Sequence, residues 1–162
     1  MKKAYTLIEL VFVIVIIGVL ASVAIPKFTN LTKNAKSSGI KSVVTSVQAS
    51  IDNIHGKWII DDSMKQFKGA DGNEHSLSAD GYPLTLDAND GKGKLFSYVL
   101  KIPIPSCGTK TNGCWSQEDN VTYKYHFDAL NEYQFRYDSS RGVLECNNSD
   151  SDLQKKCEKT VY

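Results

Sequence analysis

Met1-Lys2-Lys3-Ala4-Tyr5-Thr6-Leu7-Ile8-Glu9-Leu10 opens the chain. Val11 to Ile25 carries it on as an apolar run that closes on Pro26-Lys27-Phe28. Two lysines precede a short polar tip, Glu9 sits at the edge of the run, and Leu10 to Ile25 holds no charged residue. A charge at the centre of a membrane helix costs roughly 2.5–3.5 kcal/mol on insertion scales, so a carboxylate kept there points to a task. A secretory signal peptide carries its small-residue cleavage site after the apolar stretch. Ala21-Ser22-Val23-Ala24 imitates such a site. That reading, like a plain membrane anchor, leaves Glu9 and the pattern downstream without a role.

Beyond Pro26 the apolar positions are Phe28, Leu31, Ala35, Ile40, Val43, Val44, Val47, Ile51, Ile54 and Trp58. Steps of three and four dominate, the mark of one buried stripe. Lys33, Lys36, Lys41, Asp52 and Lys57 fall between them on a wet face. The pattern predicts one helix from about Tyr5 to Trp58, kinked or loosened at Pro26. At ~1.5 Å per residue it spans roughly 80 Å. Its first half, apolar all round, needs lipid or other copies of itself. Its amphipathic second half, 29–58, needs a sheet.

Residues 61–94 are rich in Asp, Gly, Asn and Ser and read as a long variable loop, with a short helix near Ser63–Phe67. Asp87, Asn89 and Asp90 make a weak calcium-loop candidate that lacks the alternating ligands and distal Glu of an EF-hand. Leu95–Lys101 reads as a short helix or an edge strand, ended by Pro103 and Pro105. Val121–Phe127, Glu132–Tyr137 and Val143–Cys146 read as strands separated by turns at 128–131 and 138–142. Tyr123, Tyr125 and Phe127 alternate along the first, and Tyr133, Phe135 and Tyr137 along the second. This predicts a three-stranded antiparallel meander over about 121–146, whose aromatic face packs on the helix stripe as core. The fold class is α+β: a long N-terminal helix on a small antiparallel sheet.

The chain has 162 residues and a net charge of +1, which marks out no nucleic-acid stripe. About 130 residues outside the apolar segment suffice for one domain with its own core. Cys107, Cys114, Cys146 and Cys157 lie clear of the apolar segment. An even number of clustered cysteines beyond a membrane anchor reads as disulfides in an oxidising space. Of the three possible pairings the local one, Cys107–Cys114 with Cys146–Cys157, is expected, since it closes a turn-rich loop and pins a polar tail that otherwise frays. The separations do not suit zinc. His55, His75 and His126 join no catalytic motif visible in sequence, and no phosphate-binding loop or HExxH is present. No enzyme activity and no cofactor is expected.

The N-terminal segment closely resembles the class III signal of type IV pilins and type II secretion pseudopilins, over about the first 30 residues. Lys2-Lys3 match the basic leader, Ala4 the residue before the cut, Tyr5-Thr6-Leu7-Ile8-Glu9 those after it, and Gly18 and Pro26 two further family positions. Ala4 stands where the family usually has Gly, and Tyr5 where Phe is most common. The resemblance implies residues 1–4 as a leader, 5–28 as a transmembrane and filament-core helix, and 29–162 as a periplasmic or extracellular head. It implies that prepilin peptidase cuts between Ala4 and Tyr5 and methylates the Tyr5 amine. It implies storage in the inner membrane, Lys2 and Lys3 inside by the positive-inside bias, and assembly on an inner-membrane platform with copies of itself and other pilins or pseudopilins. The carboxylate matching Glu9 then offsets the terminal amine of a neighbouring subunit, although Glu9 also reaches the amine of its own chain, one turn away. Gly18 and Pro26 then loosen the helix in the filament. A rival reading is a membrane-anchored periplasmic binding module that does not polymerise. It requires an exposed aromatic face and a dispensable Glu9.

Overall fold

The computed structural model describes residues 6–88, 93–107, 112–128 and 130–162. They fall in two compact units, Met1–Lys36 and Ser37–Tyr162. Helix α1, Leu7–Ile60, contributes to both, and it continues through Pro26. Within the first unit no described side chain is buried. Its hydroxyls turn back on the helix: Ser22 Oγ donates to the Val19 carbonyl at 2.7 Å, Thr29 Oγ1 to Pro26 at 2.9 Å and Thr32 Oγ1 to Phe28 at 3.0 Å. Such bonds leave no donor for an apolar surrounding to strand.

In the second unit α1 buries Ile40, Val44, Val47, Ile51 and Ile54, at steps of four and three. Phe28 and Leu31, expected in the same stripe, are exposed. Four antiparallel strands follow one another in order: β5 Cys114–Gln117, β6 Thr122–His126, β7 Glu132–Asp138 and β8 Val143–Cys146. The sheet therefore has one strand more than the expected three. β5 buries one apolar side chain, Trp115, in a four-residue run, too short a pattern to announce a strand. Tyr123, Tyr125, Phe127, Tyr133, Phe135 and Tyr137 join the helix stripe in one buried cluster. Gln48 ties helix to sheet: its amide donates to the Gly142 carbonyl at 2.8 Å and its carbonyl accepts from Leu144 N–H at 3.3 Å. At Gly142 φ is +66°, and a Cβ there would run into the Tyr82 ring, so the β7–β8 turn requires glycine.

The segment read as a loop is a structured part of the head. No helix forms near Ser63–Phe67. Instead β1 Gln66–Lys68 pairs with β2 Glu74–Ser76, Phe67 opposite His75, because the polar–apolar alternation around a buried Phe67 fits a strand. Leu77 and Leu86 are buried too, and Tyr137 Oη donates to the Pro83 carbonyl at 2.7 Å. Of the stretch read as Leu95–Lys101, only Leu95 is strand, as the end of β3 Lys94–Leu95. Pro105 does not end an element; it lies in β4 Ile104–Pro105, opposite Lys94 in a two-stranded edge. The C-terminal tail, expected to be pinned by a disulfide, is helix α2, Ser151–Val161. The Asp150 carboxylate accepts from Asp152 and Leu153 N–H, both at 2.9 Å, and caps it.

Candidate functional site

The described part of the N-terminal segment begins at Thr6, whose hydroxyl accepts from Glu9 N–H at 3.3 Å while its carbonyl accepts from Leu10 N–H at 3.2 Å. Thr6-Leu7-Ile8-Glu9 has the capping-box spacing, so Glu9 stands at the third helical position, where a carboxylate favours the positive end of the helix dipole. The observed cap bond uses the Glu9 backbone N–H, and the Glu9 carboxylate itself is exposed. Ala4 and Tyr5 lie outside the described residues. Gly18 has open space where a Cβ would stand, so α1 itself does not require glycine there.

From Leu10 to Ile25 this helix carries no charge and no side chain is buried. Leu7 is 81% exposed, Phe12 66% and Phe28 67%. The helix contains a stretch long and apolar enough to cross a membrane. Exposed apolar surface of this extent is the mark of a membrane or partner contact. At about 25 cal/mol per Å2, each large side chain covered contributes roughly 1.5–3 kcal/mol.

The cysteines form Cys107–Cys114 and Cys146–Cys157 disulfides. The second joins the end of β8 to the middle of α2, where Cys157 is fully buried. Asp87, the first calcium candidate, is 3% exposed and turned into the core. Its Oδ2 accepts from Phe96 N–H at 2.9 Å and its Oδ1 from the Gln117 amide at 2.6 Å. Phe96, fully buried, has φ +58°, a strained conformation for a bulky residue. The Asp87 bond to its N–H helps to hold that conformation. Burial, and next the Asp87 carboxylate, push the Tyr123 phenol far above its ordinary range. Asn89 and Asp90 lie outside the described residues. Among the described residues no three His, Cys, Asp or Glu side chains are grouped to hold a metal ion.

Each histidine is built into the head. His55 stacks on Tyr82 with ring centroids 4.0 Å apart, and His75 on Tyr98 at 3.5 Å. His126, 6% exposed, stands 2.9 Å from Ser116 Oγ through Nε2 and 3.4 Å from Glu132 Oε2 through Nδ1. Sequence reading missed this grouping because its members come from three strands. Lys124 Nζ, 3.3 Å from Glu132 and 3.1 Å from Glu118, shares the carboxylate. The result is a cross-strand polar network covering the second face of β6.

A family described as the prokaryotic N-terminal methylation motif matches residues 1–25. The chain is 43% identical over 47 residues to the type IV narrow pilus major component PilA5 of Thermus thermophilus, covering 29% of this chain and 40% of that one. It is 42% identical over 65 residues to the type IV major pilin protein PilE1 of Neisseria gonorrhoeae, covering 36% and 37%. It thus spans about two fifths of the length of these relatives. A fimbrial protein of Pseudomonas aeruginosa is 27% identical over 129 residues, covering 71% of this chain and 84% of that one. No solved structure matches significantly.

Proposed function

We propose that this chain, similar over its N-terminal segment to type IV pilins, is a structural subunit of a pilus-like filament, processed and assembled through its N-terminal helix. The observation that carries this reading is the uncovered apolar surface of α1 from Leu7 to Leu31, adjoining a separately built, disulfide-bonded head. A prepilin peptidase removes residues 1–4 and methylates Tyr5. The helix then holds the subunit in the inner membrane with its head in the periplasm. Delivered to an assembly platform, the helix exchanges lipid for copies of itself and for other pilins. An unpaired Glu9 carboxylate is costly in that surrounding and one opposite a terminal amine is not, so pairing selects the docking register. Gly18 and Pro26 provide the points at which the helix loosens in the filament. The named relatives are pilus components, which favours a pilus over a secretion pseudopilus.

The rival binding module needs an exposed aromatic face. Tyr123 and Phe135 are fully buried and Tyr137 is 2% exposed, so the observation it rests on is missing. The test is the mass of the N-terminal peptide from native membranes, with the prepilin peptidase gene intact and deleted. A peptide starting at methylated Tyr5, lost on deletion, is expected. An intact Met1 in both strains removes the processing reading.

A further inference from the structure

Three Asn-Xaa-Ser/Thr triplets occur in the chain: Asn30-Leu31-Thr32, Asn120-Val121-Thr122 and Asn147-Asn148-Ser149. This is the acceptor pattern for attachment of an oligosaccharide to asparagine, with no proline between. The pattern alone is common, and the structure separates its three instances.

Asn30 lies inside α1, where residues two apart point to nearly opposite sides of the helix. One enzyme site cannot read both residues there without unwinding the helix beside its apolar stretch. Asn120 is exposed in the turn from β5 to β6, and Asn147 is exposed in the link from β8 to α2. Both are outside helix and strand, and both are exposed. Each also has a glutamate two residues before it, Glu118 and Glu145. The two positions stand at opposite ends of the sheet, since β5–β6 turns at one end and β8 leaves at the other.

We propose that Asn120 and Asn147 are N-glycosylation acceptors, and that Asn30 is not. The donor is a lipid-pyrophosphate-linked oligosaccharide. The asparagine Nδ2 attacks the anomeric carbon, the C–N bond forms, the bond from that carbon to the pyrophosphate oxygen breaks, and the amide gives up one proton. No redox partner is needed. Folding sets the order at Asn120. The Thr122 hydroxyl lies 3.0 Å from Asp119 Oδ2, and the same carboxylate accepts from Val121 N–H at 2.8 Å and Thr122 N–H at 2.7 Å. Thr122 is 5% exposed. The transferase therefore reads this triplet before the turn closes, during export. Ser149 is exposed, so Asn147 stays readable in the folded head.

The inference rests on the proposed function only in placing the head outside the cytoplasm. The experiment is mass spectrometry of tryptic peptides 111–124 and 142–155, reduced and alkylated, from native cells. In parallel, a membrane-impermeant amine reagent on spheroplasts reports whether the head lysines lie outside. Both peptides are expected to carry a sugar mass with hexose or hexosamine fragment ions. Asn120→Gln removes it from the first peptide and Asn147→Gln from the second. Ser149→Ala abolishes it at Asn147, while Ser149→Thr retains it. Bare peptides on a labelled head overturn the inference alone. Bare peptides on an unlabelled head overturn the topology as well. Sugar that survives the Asn→Gln changes, or sugar at Asn30, overturns the assignment. Modification at one position upholds it there and overturns it at the other.

Discussion

Glu9 and Asp87 are both carboxylates at informative positions, and the structure gives them opposite characters. Glu9 is exposed on the first turn of α1, with the Thr6 cap on its N–H. Glutamine also serves the third position of a capping box, so Glu9→Gln removes the charge and keeps the helix start. Filament number in that variant is expected to fall at least tenfold with cleavage and membrane level unchanged; wild-type filament counts would sink the pairing argument. Asp87 is buried and holds the Phe96 N–H and the Gln117 amide. Asp87→Ala leaves two donors without an acceptor and should destabilise the head by about 1–3 kcal/mol per donor. The urea midpoint of the detergent-solubilised protein reads this, and added calcium should not move the wild-type midpoint if the carboxylate is a core acceptor.

Helix α2 is polar in composition, yet it is a structured element because three things converge on it. Asp150 caps it, Leu153, Cys157 and Val161 recur every four residues, and Cys157 is bonded to Cys146. Gln154 adds a bond from its amide to the Cys146 carbonyl at 2.9 Å. Removing the bridge by Cys146→Ser with Cys157→Ser should cost about 2–4 kcal/mol. The loss should be local: hydrogen exchange of α2 amides accelerates well beyond that of β6 and β7. Equal acceleration across the head would show that α2 is an integral part of one cooperative unit.

Across the head, stability depends on pH through turn carboxylates. Hydrogen bonds from the Val121 backbone, and from Thr122, hold Asp119 below the usual carboxylate range. Bonds from Ser140 and Arg141 do the same for Asp138. A carboxyl depressed by folding contributes stability that is present above its unfolded value, about 3.9, and is lost as pH falls through the folded one. The urea midpoint should therefore be flat from pH 7 to about 5 and decline below about pH 4. Asp119→Asn should lower the midpoint at pH 7 and flatten the acid decline; an unaltered slope would remove Asp119 from the account.

The N-terminal signal, the continuous helix and three of the four sheet strands were legible in the residues. Each is written in a local code: a charge in an apolar run, a step of three and four, an alternation of aromatics. The local cysteine pairing was legible for the same reason, since short loops close easily. The expected helix near Ser63–Phe67 and the reading of 61–94 as a loop were wrong because their structure is decided at a distance. Phe67 is a strand residue because His75 stands opposite it; Asp87 is a core acceptor because Phe96 and Gln117 come to it from further along the chain. The Ser116–His126–Glu132 grouping exists only where three strands meet in register. By itself the sequence determined the apolar helix and its charged start, because periodicity and charge act within a few residues. Only the tertiary structure decided which polar side chains are spent inside the head and which reach solvent, because a buried polar group needs a partner and its partner comes from another element.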